Sequence, residues 1–220
     1  MSSVYKVDLH THSKASADGG ITDAQYANAF ESGQLHCVAI TDHNRIDFAL
    51  YMSKAFGDRV IVGEEIMTTK GEIVGLFLTD EVKPHKSPLA TVKAIKDQGG
   101  IVYIPHPFET VRRGLSAGQL DKIADYIDLV EVCNGRAFFQ NRSQEAAVWA
   151  RLNNKIGVAS SDAHGKHGLG ATYTTMSDIP TRKNFLQLVK VGVPITDRPG
   201  VRALLYPKYH RLRKKVRRQK

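Results

Sequence analysis

Only two of the 220 residues are cysteine and only one is tryptophan. No apolar run approaches the roughly 20 residues that span a bilayer. Cys37 and Cys133 lie in separate apolar, strand-like runs with no pairing pattern, which argues against a disulfide scaffold and for a reducing, cytoplasmic setting. The chain enters a strand-like segment within a few residues of Met1, so no secretory signal is expected. There is no internal repeat and no low-complexity linker before residue 197. Acidic residues are missing from the C-terminal end. From Arg198 to Lys220 there are ten Lys or Arg and no Asp or Glu, whereas the remainder holds 21 basic and 22 acidic residues. The net charge of +9 therefore belongs to a basic tail on a near-neutral body.

The body alternates short apolar runs with helical patterns. Strands are predicted at 4–9, 37–41, 60–66, 72–78, 100–105, 128–133 and 156–160. Helices are predicted near 22–33, 47–57, 87–98, 117–126, 138–153 and 181–191. Thr22 and Asp23 are cap candidates for the first helix, Gly33 its stop, and Ser87-Pro88 opens the third. The runs on either side of Lys70-Gly71 are close enough for a hairpin. The remaining alternation argues for a parallel sheet covered by helices, and about seven strands suggest a closed or nearly closed α/β barrel.

Ligand-type residues end these strands. His10 and His12 follow the first, Asp42 and His43 the second, and Glu64 and Glu65 end the third. His106 follows the fifth, and Asp162 and His164 the last. In α/β barrels that end of the sheet surrounds the active site. Five of the nine histidines fall there. Residues i and i+2 of a strand share a face, so each member of His10-x-His12 and of Asp162-x-His164 can reach one ion. Each piece alone has a plain structural reading: a turn at Asp18-Gly19-Gly20, a helix cap at Asp42-His43-Asn44, an exposed strand end at Glu64-Glu65. Together they crowd one mouth with groups that are costly to bury without a cation. Imidazole with carboxylate and no thiolate set suits Zn, Mn or Fe(II), and the donors outnumber the three or four that one zinc needs.

The segments Asp8-Leu9-His10-Thr11-His12-Ser13, Ala17-Asp18-Gly19, Thr41-Asp42-His43-Asn44, Gly63-Glu64-Glu65-Ile66, Pro105-His106-Pro107 and Ser161-Asp162-Ala163-His164 together resemble the PHP (polymerase and histidinol phosphatase) family. They run in the family's order from about residue 4 to 176. The resemblance implies a distorted seven-stranded (β/α) barrel over 1–196, followed by the basic tail at 197–220. It implies two or three divalent ions (Mn, Zn or Fe). His10, His12, Glu65 and Asp162 would hold one, Glu65 and His106 a second, and Asp18, His43 and His164 a third. Glu65 is taken over Glu64 because the motif is Gly-x-Glu. Many members carry a further histidine in the next strand. Here Glu72-Ile73-Val74-Gly75-Leu76-Phe77 has none, and Val74 stands near the expected position. Cys133 is a substitute ligand or a small buried apolar residue.

The implied activity is hydrolysis of a phosphate ester, in a nucleotide, an oligonucleotide or a small phosphomonoester, by attack of metal-bound hydroxide. No Gly-x-Ser-x-Gly elbow is present. Arg112, Arg113 and Arg136 are the candidate phosphate-binding residues. The tail at 198–220 is a candidate contact for nucleic acid or anionic lipid, against a solvated basic helix or a disordered end. Two other readings stay open: a 5′–3′ exonuclease that uses the tail, and a non-catalytic metal-binding domain. His36, His85, His167 and His210 are read as surface residues.

Overall fold

A computed structural model describes residues 4–137, 140–197 and 199–218. The first two residues of the predicted 138–153 helix, and Arg198 and 219–220 of the tail, lie outside those described. The strands are β1 (Tyr5–Thr11), β2 (Cys37–Ile40), β3 (Val60–Met67), β4 (Glu72–Leu76), β5 (Ile101–Ile104), β6 (Leu129–Asn134), β7 (Ile156–Ser160), β8 (Thr172–Met176) and β9 (Val193–Thr196). The helices are α1 (Asp23–Glu31), α2 (Asp47–Phe56), α3 (Pro88–Asp97), α4 (Ala117–Ile123), α5 (Ser143–Leu152), α6 (Phe185–Lys190) and α7 (Val201–Arg218).

Local chemistry explains the boundaries. Thr22 and Gln25 form a reciprocal capping box at the start of α1, and Ser87 caps α3 with Pro88 in its first turn. Gly71 turns β3 back on β4 with φ +149°, a conformation that favours glycine.

All nine strands form one sheet in the order β7-β6-β5-β4-β3-β2-β1-β8-β9. β1, β2 and β3 run parallel, as do β5, β6 and β7, whereas β4 is antiparallel to both its neighbours. The sheet curls until β7 returns to β1. His12 N–H donates to Ala163 O at 2.8 Å, and Ala159 exchanges hydrogen bonds with the Thr174 hydroxyl. An apolar interior of Val7, Leu9, Val74, Leu76, Tyr103, Leu129 and Val158 is joined by Phe185 and Val189 of α6. Two further apolar clusters include the buried faces of the outer helices.

The expected count of seven strands is corrected to nine among the described residues. β8 is threonine-rich and follows Gly168 and Gly170, so its apolar signal is weak. β9 carries Pro194, which an edge strand tolerates because one side of it needs no ladder hydrogen bond. The extra strands change the closure. On the side away from β2, β1 pairs with antiparallel β8, and the segment after β7 meets β1 through Ala163 and through Ser161 N on Asp8 Oδ1. Of the forms expected for the tail, a helix is found, with residues 201–218 forming α7; His210, read as a surface residue, is instead half-buried against Gly20.

Candidate metal centre

The C-terminal ends of the parallel strands open on one mouth. β1 carries an extra residue between Asp8 and Thr11 relative to β2, a bulge that bends the strand end. His10 and His12 converge there, with their Nε2 atoms 3.1 Å apart. Asp18 comes from the next loop. Gly19 beside it has no room for a side chain, because a Cβ would strike Ser13 O and the His12 backbone. His43 follows β2 and is bridged to Glu65 of β3. His106 follows β5, and Asp162 and His164 follow β7. His106 and Asp162 hold positive φ values of 29° and 50°, strain of the kind found at functional sites.

Glu65 is the hub. Its Oε1 lies 3.0 Å from His106 Nε2 and 3.4 Å from His10 Nε2. Its Oε2 lies 3.1 Å from His43 Nδ1 and 3.2 Å from His12 Nε2. Asp162 Oδ1 stands 3.4 Å from both His12 Nε2 and His164 Nδ1, and 3.8 Å from His10 Nε2. Asp18 Oδ1 stands 3.5 Å from His43 Nε2 and 3.5 Å from His164 Nε2. Glu64 points elsewhere and accepts from Val82 N at 2.8 Å.

All eight residues singled out as ligands converge on this mouth, in overlapping groups whose donor atoms lie within 4.8 Å of one another. The groups are His12, Asp18, His43 and His164; His10, His106 and Asp162; His10, His12 and Glu65; and His43, Glu65 and Glu72. His12 joins the group expected to contain only Asp18, His43 and His164. Cys133 is in none of these groups and is partly exposed.

Two carboxylates escaped the sequence reading. Glu72 opens antiparallel β4, so the start of that strand lies at the mouth. Its oxygens stand 3.7 Å from His43 Nδ1 and 3.8 Å from His106 Nε2. Val74, two residues on, belongs to the apolar interior instead. Glu131 is fully buried in β6. It accepts from Tyr103 Oη at 2.6 Å, His106 N at 2.6 Å and Asn134 Nδ2 at 2.7 Å, and lies 3.2 Å from His10 Nδ1. A proton on His10 Nδ1 then points at Glu131 and leaves Nε2 to the mouth, the carboxylate–histidine arrangement common behind metal ligands. The available signal was an acidic residue inside an apolar strand.

Within the chain, protons on imidazoles and the guanidinium groups of Arg112, Arg136 and Arg211 are the counter-charges of the buried carboxylates. Burial opposes protonation of His12, but hydrogen bonds to Asp162 and Glu65 raise it to about 10. Burial, then the charge of His12, lowers His164 to about 3, so that ring stays neutral. Burial pushes Glu72 up to about 9, and the charge of Glu65 adds to it. Burial also works against ionised Asp162, yet Arg136 and His10 hold it well below the usual range. Buried, mutually repelling carboxylates among imidazoles are a donor set that divalent cations fit.

Arg112 and Arg136 meet at Asp162. Arg112 Nη1 donates to Asp162 Oδ2 at 2.8 Å, and its other nitrogens hold Glu109. Arg136 Nη1 is 3.2 Å from both Asp162 oxygens. Arg113 is not brought to them; its Nη1 lies 3.4 Å from Met67 Sδ.

Comparison with known proteins agrees with this fold. The family described as PHP-associated matches residues 141–194, from the loop before α5 to β9. The uncharacterized protein MJ1587 of Methanocaldococcus jannaschii is 38% identical over 143 residues, covering 59% of this chain and 81% of its own. A two-domain protein of Bacteroides vulgatus containing a predicted PHP-like metal-dependent phosphoesterase superposes with a TM-score of 0.70 at 19% identity, over 95% of this chain and 70% of that one. The lesion-specific endonuclease EndoQ of Pyrococcus furiosus superposes at 0.63 with 16% identity, over 87% of this chain and 57% of that one. The structural likenesses speak for the fold, and the sequence motifs run in family order around one mouth; the chain belongs to the PHP family.

Proposed function

We propose that this protein is a metal-dependent phosphoesterase that hydrolyses a phosphate ester at the mouth of the curled sheet. The observation that carries the reading is the set of overlapping His and carboxylate groups, with Arg112 and Arg136 converging on Asp162. His10, His12, Asp18, His43, Glu65, His106, Asp162 and His164 would hold two or three ions of Mn, Zn or Fe(II), with Glu72 beside them. Such ions supply Lewis acidity toward phosphate oxygens and lower the pKa of water. The chain's own residues do the rest. Glu65 serves more than one group of donors. Glu131 turns His10 so that Nε2 faces the mouth. Arg112 and Arg136 supply the paired donors that match phosphate oxygens. Protein purified without chelators is expected to carry at least two divalent ions per chain by elemental analysis and to hydrolyse bis-p-nitrophenyl phosphate or p-nitrophenyl phosphate. A metal-free preparation that stays inactive after reloading with Mn, Zn or Fe(II) would sink the proposal.

A second reading makes nucleic acid the substrate. It is favoured by α7, whose exposed Lys208, Arg213 and Lys215 stand on a helix laid over the mouth. It is also favoured by the likeness to EndoQ, a structure of which holds a 27-mer duplex with an abasic lesion at the active site. Replacing Lys208, Arg213 and Lys215 together by Ala should weaken oligonucleotide binding and reduce the salt slope of log K by roughly 2, at about 0.7 per phosphate contact on single strands. An unchanged slope rules α7 out as the strand contact. No described helix is long and apolar enough to cross a membrane.

A further inference from the structure

The C-terminal helix does more than carry charge. One face of α7 is seated on the two loops that present Asp18 and His164. The Tyr206 ring covers Gly165 and lies 5.9 Å from the His167 ring, and it stacks on the His210 ring at 5.4 Å and 11°. His210 in turn lies against Gly20, leaving no room for a side chain there. Lys214 Nζ donates to the carbonyl oxygens of Lys14, Ser16 and Gly19, the first and last at 2.9 Å, and so ties the loop that carries Asp18. Between these anchors Arg211 Nη2 donates to Asp18 Oδ2 at 2.7 Å.

This contact divides the Asp18 carboxylate between two jobs. Oδ1 faces His43 and His164 at 3.5 Å each, and Oδ2 belongs to Arg211. Asp18 is 3% exposed, whereas Arg211 is 67% exposed and reaches in from the surface. A buried carboxylate free to rotate would present either oxygen, or both, to the mouth. A guanidinium on Oδ2 leaves it one orientation. Residues behind a ligand that fix its orientation are commonly worth 10- to 100-fold in metal affinity.

We propose that α7 is part of the metal centre: Arg211 is a positioning residue that fixes Asp18 with Oδ1 toward His43 and His164, and Lys214 holds the loop on which Asp18 sits. The inference rests on the proposed metal site and is independent of what that site hydrolyses.

The test is calorimetric titration of Mn²⁺ alone into the metal-free full-length chain. Wild type is compared with Arg211→Ala, Arg211→Lys and, as a control on α4, Lys122→Ala. Thermal melting of each metal-free variant by circular dichroism checks the fold, which an exposed side chain such as Arg211 should leave intact. The expected result is a 10- to 100-fold loss of affinity for one class of ion in Arg211→Ala, part of it regained in Arg211→Lys, with Lys122→Ala unchanged. An Arg211→Ala isotherm that overlays wild type overturns the proposal. So does tighter binding in Arg211→Ala, which would make Arg211 a competitor of the cation. If the affinity loss appears but no phosphate ester is cleaved by wild type, the functional reading fails and this one stands. If cleavage is found and the isotherms overlay, the reverse holds.

Discussion

Glu65→Gln is expected to lower kcat on a phosphodiester by roughly a thousandfold or more, about 4 kcal/mol of transition-state stabilisation, and to cost at least one bound ion. No other described carboxylate at the mouth faces as many imidazoles. Its two oxygens lie between 3.0 and 3.4 Å from nitrogens of His10, His12, His43 and His106. Glutamine keeps the shape and one oxygen but places an NH₂ group where a cation or a histidine proton is expected. Burial costs the ionised carboxylate, yet His10 and His43 hold it well below the ordinary range. Removing that charge leaves the mouth's imidazoles without their main counterweight. The measurements are metal content by elemental analysis and steady-state hydrolysis of bis-p-nitrophenyl phosphate at saturating metal. A variant that keeps its full metal complement and stays within tenfold of wild-type kcat would remove Glu65 from the chemistry.

Glu131→Ala should be the most destabilising single change near the site, by about 3 to 5 kcal/mol, or roughly 10 °C in Tm for a chain of this length. Four groups converge on this buried carboxylate: Tyr103 Oη, His106 N, Asn134 Nδ2 and His10 Nδ1. Alanine leaves them facing a cavity with no acceptor, and unmade buried hydrogen bonds cost more than made ones contribute. Glu131→Gln keeps an acceptor and should fold, but its NH₂ group faces donors, so His10 loses its orienting partner and metal affinity falls 10- to 100-fold. The sign of the pH effect follows from the direction of the shift. Burial disfavours the charge on Glu131, but the hydrogen bond and charge of His10 prevail and lower its pKa below 4.5. Its contribution is present above pH 4.5 and is lost as pH falls through the lower folded value. The Tm gap between wild type and Glu131→Gln should therefore narrow on acidification below pH 4.5. A gap that widens, or an alanine variant melting within 2 °C of wild type, would show that Glu131 is not the anchor.

The His10-x-His12 pair at the end of β1 and the Asp162-x-His164 pair were legible because strand periodicity and turn residues are local properties. A residue that ends an apolar run at the right offset can be placed without knowing what lies across from it. The strand count was less legible. Thr172–Met176 and Val193–Thr196 lack apolar runs, and each is a strand because a neighbour supplies its hydrogen-bond partners. Glu72 was hidden by direction. In a parallel strand its position would lie at the floor of the sheet, and only the antiparallel run of β4 puts it at the mouth.

The sequence by itself determined the kind of centre: imidazole and carboxylate donors at strand ends, no thiolate set, and cationic charge concentrated after residue 197. These are matters of residue type and short spacing. Tertiary structure alone decided which side chains stand behind the donors. Glu131 reaches His10 across 121 positions of sequence and Arg211 reaches Asp18 across 193. Contacts at such separations depend on sheet register and on where a helix docks, and no local pattern carries that information.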